Sequence, residues 1–150
     1  YIGRTGIGKL VARMQADSKL GIIGCRVMNW YSGKIDQWFY PHSYEKMGDQ
    51  EFETYSFSAA GALLRTRAVQ EAGGFWDDLF IYNEEVDLSI GVFRAGYRII
   101  YLPTVPVFHR ASPEGRTPSQ RYFHYQIRNW IWIIYKHYPF WSRVSRVSLL

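Results

Sequence analysis

Cysteine is almost missing from this chain of 150 residues: Cys25 stands alone. That excludes an intramolecular disulfide framework and any multi-cysteine zinc site. Cys25 follows Ile22-Ile23-Gly24 and reads as a buried core thiol. Long apolar runs are missing too. In the C-terminal part the longest is Trp130 to Tyr135, far short of the ~20 residues that cross a bilayer. No methionine opens the chain at Tyr1 and no charged-then-apolar leader follows, so no signal peptide is expected and the chain reads as a piece of a longer protein. There is no Asp-x-Asp and no internal repeat. Acidic residues are nearly absent from one end: through His109 there are eleven basic and twelve acidic residues, whereas from Arg110 onward there are seven basic residues against Glu114 alone. The net charge of +5 therefore resides in the tail.

What is present suits a globular domain. A hydrophobic fraction of 47% with 21% charged residues excludes wholesale disorder and collagen-like or low-complexity classes, and the length suits one domain of roughly 100–200 residues. A basic, aromatic tail on a near-neutral body implies an anionic surface nearby: phospholipid, nucleic acid, or the acidic face of another domain.

Ile7, Leu10, Val11 and Met14 share one helical face, with Gly21 expected to stop the helix. A strand is expected over Ile22 to Val27, a turn at Ser32-Gly33, and a loop from Tyr40 to Tyr55. Ser58 to Leu64 reads as a small-residue strand and Thr66 to Ala72 as a short helix closed by Gly73-Gly74. A helix from Glu84 to Ala95 follows, with Asn83 as N-cap, Gly96 as stop, and Val86, Ile90 and Phe93 on one face. A strand over Tyr97 to Leu102 leads through Pro103 and Pro106 into a second extended segment ending at His109. Thr117-Pro118-Ser119-Gln120 reads as the start of a helix that runs to about His137, with Thr117 as cap and Pro139 beyond its end. Alternating helices and short strands predict an α/β architecture.

The cluster Glu84, Glu85 and Asp87 opens the predicted helix at Glu84. Acids in a first turn complement the helix dipole by about 0.3–1 kcal/mol each. They also suit chemistry. Glu84 and Asp87 share a face, Glu85 projects about 100° away, and crowded carboxylates hold a raised pKa that suits a general base.

The stretch from Gly61 to Leu88, with Gly73-Gly74-Phe75, Tyr82 and Glu84-Glu85-Val86-Asp87-Leu88, then Arg94 to Pro103 and Val107-Phe108-His109, resembles family 2 glycosyltransferases. The similarity is to the later half of their GT-A domain, in the branch of rhamnosyltransferases that build bacterial surface polysaccharides. Gln126-Ile127-Arg128-Asn129-Trp130 is similar to the family's Arg-Asn element, and Leu20 to Gly24 to the strand that follows its metal-binding Asp-x-Asp. About residues 5–140 are covered.

The resemblance implies a partial GT-A fold, a mixed sheet flanked by helices. Residues 1–116 would form its acceptor-side part and residues 117–150 a basic, aromatic, amphipathic helical extension. It implies an inverting hexosyltransferase using a nucleotide-sugar donor and a saccharide or lipid-linked acceptor, at the inner face of the plasma membrane. Glu85 occupies the position of the general base. Glu84, Asp87 and Gly61 would support the loop and acceptor site. Trp76 stands where the family has aspartate, either stacking on a sugar or covering the surface. His109 stands where some members supply a metal or phosphate contact, and is otherwise a structural strand-end histidine. A divalent cation, Mn²⁺ or Mg²⁺, would be held mostly by the Asp-x-Asp segment absent here, so this chain alone is expected to be nearly inactive. Arg121, Arg128, Trp130, Trp132 and Lys136 would dock the extension on an anionic membrane surface or on the remainder of the protein. A non-catalytic carbohydrate-binding or membrane-docking module is the alternative. Nucleic acid is not an expected partner, because the acidic cluster and near-neutral body oppose it.

Overall fold

The computed structural model describes residues 1–36, 38–110, 119–140, 142 and 146. Its elements run α1 (Arg4–Gln15), β1 (Leu20–Asn29), α2 (Tyr44–Met47), β2 (Phe52–Thr54), β3 (Ala62–Leu64), α3 (Thr66–Glu71), α4 (Glu84–Arg94), β4 (Arg98–His109) and α5 (Gln120–His137). They form an α/β structure around one mixed sheet of order β2-β4-β1-β3. The central strands β1 and β4 are parallel, and the short edge strands pair antiparallel to them.

Central parallel strands are covered on both faces and so are apolar on both. Ile23, Cys25 and Ile100 pack with Leu10 and Met14 of α1 on one side. Ile22 and Ile99 pack with Phe57 and with Leu88 and Val92 of α4 on the other. Cys25 is a free, buried core thiol, pushed up to about 11 by burial.

Several local expectations change. Gly21 does not end α1, which stops at Gln15; it lies in β1, where a Cβ would come within 2.8 Å of Tyr97 Cβ and 3.0 Å of Val92 Cγ1. Leu10 and Met14 are buried with Gly6, while Ile7 and Val11 are exposed, so the core contacts only part of the expected apolar face. In α4 the core side carries Leu88 and Val92 rather than Phe93, which is exposed. The expected loop from Tyr40 to Tyr55 contains α2 and β2. Its rings have no period because they converge from separate short pieces: Trp38 lies 4.9–6.3 Å from Tyr40, Tyr44, Phe52 and Tyr101.

The Ser58–Leu64 segment is a 3-10 turn, Ala59–Gly61, followed by β3. Gly73, Gly74 and Gly96 take the left-handed conformation expected after α3 and α4. β4 is one strand with a slip: Cys25 pairs with Leu102 but Arg26 with Pro106, so the strand absorbs Pro103, Thr104 and Val105 as an irregularity.

The N-cap of α5 is Ser119, whose hydroxyl accepts the Tyr122 N–H at 3.2 Å. Thr117 and Pro118, and the expected boundary between 116 and 117, lie outside the described residues. No helix among the described residues is long and apolar enough to cross a membrane.

α5 packs on α4 through a polar latch. The buried carboxylate of Asp87 accepts from Lys136 Nζ at 2.9 Å and from His137 Nε2 at 2.6 Å. On the other side of the ring, Arg94 Nη1 lies 2.6 Å from His137 Nδ1. A guanidinium can only donate, so Nδ1 accepts and Nε2 carries the hydrogen. Burial lowers the His137 pKa from 6.5; Asp87 opposes this and the charges of Arg94 and Lys136 add to it. The unfolded chain therefore takes up this proton at higher pH than the folded one. The stability it contributes is complete above pH 6.5 and declines as pH falls below it. Urea midpoints measured between about pH 7 and 5.5, above the normal carboxylate range, should fall with acidification in the native sequence. In His137→Gln they should change less.

Candidate active site

The parallel pair β1 and β4 ends in register at Asn29 and His109, so both C-terminal ends open on the same edge, where α/β sheets bind ligands. Three segments converge there: the turn after β1, the 3-10 turn Ala59–Gly61, and the start of α4 behind the loop Trp76–Asn83.

That loop is strained. Phe80, Tyr82 and Asn83 have φ of 63°, 69° and 65°. Such conformations in residues other than glycine cost about 1–3 kcal/mol each and persist only where the surroundings impose them. α5 imposes them. Asn129, fully buried, directs its side-chain nitrogen at three carbonyl oxygens: Leu79 at 3.0 Å, Ile81 at 2.8 Å and Tyr82 at 2.7 Å. Arg128 Nη2 donates to the carbonyls of Asp78 and Leu79, both at 2.9 Å, while its Nε holds Asn129 Oδ1 at 2.9 Å. The Arg128 guanidinium also lies over the rings of Tyr125 and Trp132, at 4.6 and 4.3 Å. Asn83 occupies the expected N-cap position but makes no cap bond; its amide donates to the Gln126 carbonyl at 3.3 Å.

The first turn of α4 then separates its acids. Glu85 Oε1 accepts the Ala59 N–H at 3.3 Å. Glu84 Oε2 is enclosed with no hydrogen-bond partner. Its pKa is raised, chiefly by burial and further by the charge of Glu85, against a backbone hydrogen bond that lowers it. Asp87 turns to Lys136 and His137, away from the other two. Gly61 lets the turn lie on the sheet, since a Cβ there would be 3.0 Å from Val27 Cγ2 and 3.1 Å from Val107 Cβ.

His109 Nδ1 lies 2.7 Å from Asp36 Oδ2, and Asn29 Nδ2 reaches Asp36 Oδ1 at 3.4 Å. A carboxylate accepts there, so Nδ1 carries the hydrogen and Nε2 keeps its lone pair for a ligand. His109 borders a cleft of about 340 Å³ with Tyr1, Trp30, Ala60, Phe108 and Arg110. Ala60 is the neighbour of the residue that holds Glu85. Among the described residues no group of three or more His, Cys, Asp or Glu is placed to hold a metal ion.

Trp76 lies beside α5. Its indole N–H donates to Asp78 Oδ2 at 3.0 Å, its ring lies 5.8 Å from that of Trp132, and Lys136 Nζ sits 4.5 Å above it. Arg128, Trp132 and Lys136 are thus engaged with this chain's own loop. Arg121 lies over Phe80 and Tyr125 at 5.6 and 5.8 Å, and Trp130 borders a shallow groove with Phe123 and Ile127. Sequence reasoning gave no role to Asn129, Asp36 or Trp30. The Arg-Asn pair was visible as a motif, but Asp36 lies 73 residues from its partner and carries no local signal.

An α/β sheet whose parallel centre ends beside a paired acid and an oriented histidine, consistent with part of a GT-A fold, defines the class; comparison with known proteins agrees. Residues 9–150 match the family described as Glycosyl transferase family group 2, and the chain belongs to that family. It is similar to the N-acetylglucosaminyl-diphospho-decaprenol L-rhamnosyltransferase of Mycobacterium tuberculosis, in strains CDC 1551 / Oshkosh and ATCC 25618 / H37Rv. The identity is 27% over 113 residues, covering 75% of this chain and 37% of each relative. The chain thus spans well under half the length of the curated relatives it matches.

Asn129→Ala removes the donor that serves the carbonyls of Leu79, Ile81 and Tyr82. It should lower unfolding stability by about 1–3 kcal/mol, measured by urea denaturation, and make the 79–82 segment the first site cut by a protease.

Proposed function

We propose that this chain is the acceptor-side part of an inverting glycosyltransferase that moves a sugar from a nucleotide-sugar donor to a lipid-linked saccharide. The observation that carries this reading is the placement of Glu85: on the first turn of a helix, behind a strained and clamped loop, and tied to the turn that borders the His109 cleft. Glu85 accepts the proton of the acceptor hydroxyl as its oxygen bonds to the anomeric carbon. The bond from that carbon to the donor phosphate breaks on the opposite face, and the nucleoside diphosphate leaves with the electron pair. Glu84, whose Oε2 is enclosed beside it without a hydrogen-bond partner, supports the start of α4.

His109 Nε2 would hold a divalent cation, Mn²⁺ or Mg²⁺, together with ligands from outside these residues. When bound, the cation neutralises the leaving diphosphate. Without an Asp-x-Asp the chain by itself turns over little or nothing. The diphospho-decaprenol in the relatives' name supports a lipid-linked acceptor and a place at the inner face of the plasma membrane in surface-polysaccharide synthesis. The exposed Phe123 and Ile127 of α5, flanked by Arg121, would face the lipid.

The test is nucleotide release by the full-length gene product, offered UDP-, dTDP- and GDP-sugars with Mn²⁺ or chelator. Release should need the metal and fall by roughly two to four orders of magnitude in Glu85→Gln, the range for losing a general base. Release unchanged in that variant removes Glu85 from the reaction. Absence of release from every donor by the folded protein favours a carbohydrate-binding module.

A further inference from the structure

We propose that Asn129 is a positioning residue for the transfer: from α5 it sets the strained loop before α4, and through that loop the direction in which Glu85 meets the turn at Ala59. The inference rests on the reading of Glu85 given above and adds to it a residue from a different helix.

Packing of the loop's own side chains does not explain its strain. Leu79 is fully buried, but Phe80, the first residue at positive φ, is 66% exposed. Each of the three strained residues instead meets α5. The Phe80 ring lies 5.5 Å from that of Tyr125, the Tyr82 ring lies 5.1 Å from that of Tyr122, and the Asn83 amide donates to the Gln126 carbonyl at 3.3 Å. Among these contacts Asn129 Nδ2 binds the carbonyls of Leu79, Ile81 and Tyr82. Arg128 Nε fixes the Asn129 side chain in turn by holding its Oδ1. Asn129 is fully buried, so a polar group that is costly to enclose is devoted to the shape of one loop.

That loop leads into the first turn of α4, and the rest of the helix is fixed by other contacts. Leu88 and Val92 rest on the sheet, Asp87 is held by Lys136 and His137, and Arg94 Nη2 donates to the His137 carbonyl at 2.7 Å. What the loop decides is how the chain enters the helix, and Glu85 is in its first turn. Glu85 Oε1 takes the Ala59 N–H at 3.3 Å, near the distance limit for such a bond. A small shift of the first turn therefore breaks the contact. A reacting group misplaced by ~1 Å loses about a hundredfold in rate.

The experiment uses the full-length protein and the variants Asn129→Ala and Arg128→Lys; the second keeps the charge but loses the fixed fork that holds Asn129, and serves if the first does not fold. Leu10→Val, in the core cluster on the other face of the sheet, is the control for lost stability, with urea midpoints placing all variants on one scale. The Ala59 amide proton, read by NMR in alanine-labelled protein, reports the Glu85 contact without turnover, and Glu85→Gln gives the reference shift for loss of the carboxylate. Asn129→Ala and Arg128→Lys should move the Ala59 signal in the same direction, and Leu10→Val should leave it in place. In nucleotide-release assays both clamp variants should lower kcat roughly ten- to a hundredfold and change the donor KM less than about twofold, while the control keeps its kcat.

Three results overturn the proposal: an Ala59 signal unmoved in the folded clamp variants, a loss of kcat matched by the control, or a change confined to KM. A moved Ala59 signal with nucleotide release that ignores Glu85→Gln would leave the coupling of Asn129 to Glu85 standing and remove Glu85 as the base. Release lost in Glu85→Gln but unchanged in both clamp variants would do the reverse.

Discussion

The clamp of Arg128 and Asn129 on the backbone of Asp78 to Tyr82 is the interaction on which the rest of the site depends. Three non-glycine residues at positive φ within four positions would relax if left to themselves. A buried amide directed at three carbonyls, and a guanidinium holding one of these and a fourth, make relaxation costlier than strain, because each lost bond would leave a carbonyl without its partner. The loop in turn sets the direction in which α4 begins. A helix that follows the sheet in the chain thereby decides where an acid more than 40 residues earlier points.

The same helix sorts the three neighbouring acids. Asp87 receives a lysine and a histidine, so its charge is balanced inside the α4–α5 contact. Glu84 is shut away from partners, and Glu85 alone reaches a backbone N–H on the opposite segment. Three carboxylates that look equivalent along the chain thus acquire three different sets of partners. The cation–aromatic contacts of Arg121, Arg128 and Lys136 with Phe80, Tyr125, Trp132 and Trp76 line the seam that keeps them so. Much of the tail's basic charge is thus spent on the chain's own loop.

Elements with strong local signals were legible in the sequence. α3 and α4 with their glycine stops, the turn at Gly33, and the end of α5 before Pro139 all follow from capping and turn chemistry. Burial was less legible: Phe93 has the period of a core residue but faces outward, because Leu88 and Val92 meet the sheet first. The aromatic-rich stretch before β2 could not be read locally, since its order comes from rings meeting across a strand edge. The acid cluster and His109 stood out by residue type. Asp36, Asn129 and Trp30 did not, because an aspartate that orients a histidine, or an asparagine that holds a distant loop, is defined only by a partner remote in sequence.

The central pairing also bears on how the molecule is assembled. β1 pairs along its length with β4, from Leu20 with Arg98 to Asn29 with His109, so paired residues lie about eighty positions apart in the chain. Closing so long a segment delays the contact and slows folding relative to a chain of local hairpins. Until β4 emerges, β1 has only the three-residue β3 beside it, with an apolar surface on both faces. The cleft edge therefore forms only after β4 has emerged, and until then the nascent chain carries an open, sticky strand. This makes the window before β4 appears the period when a chaperone has most to protect.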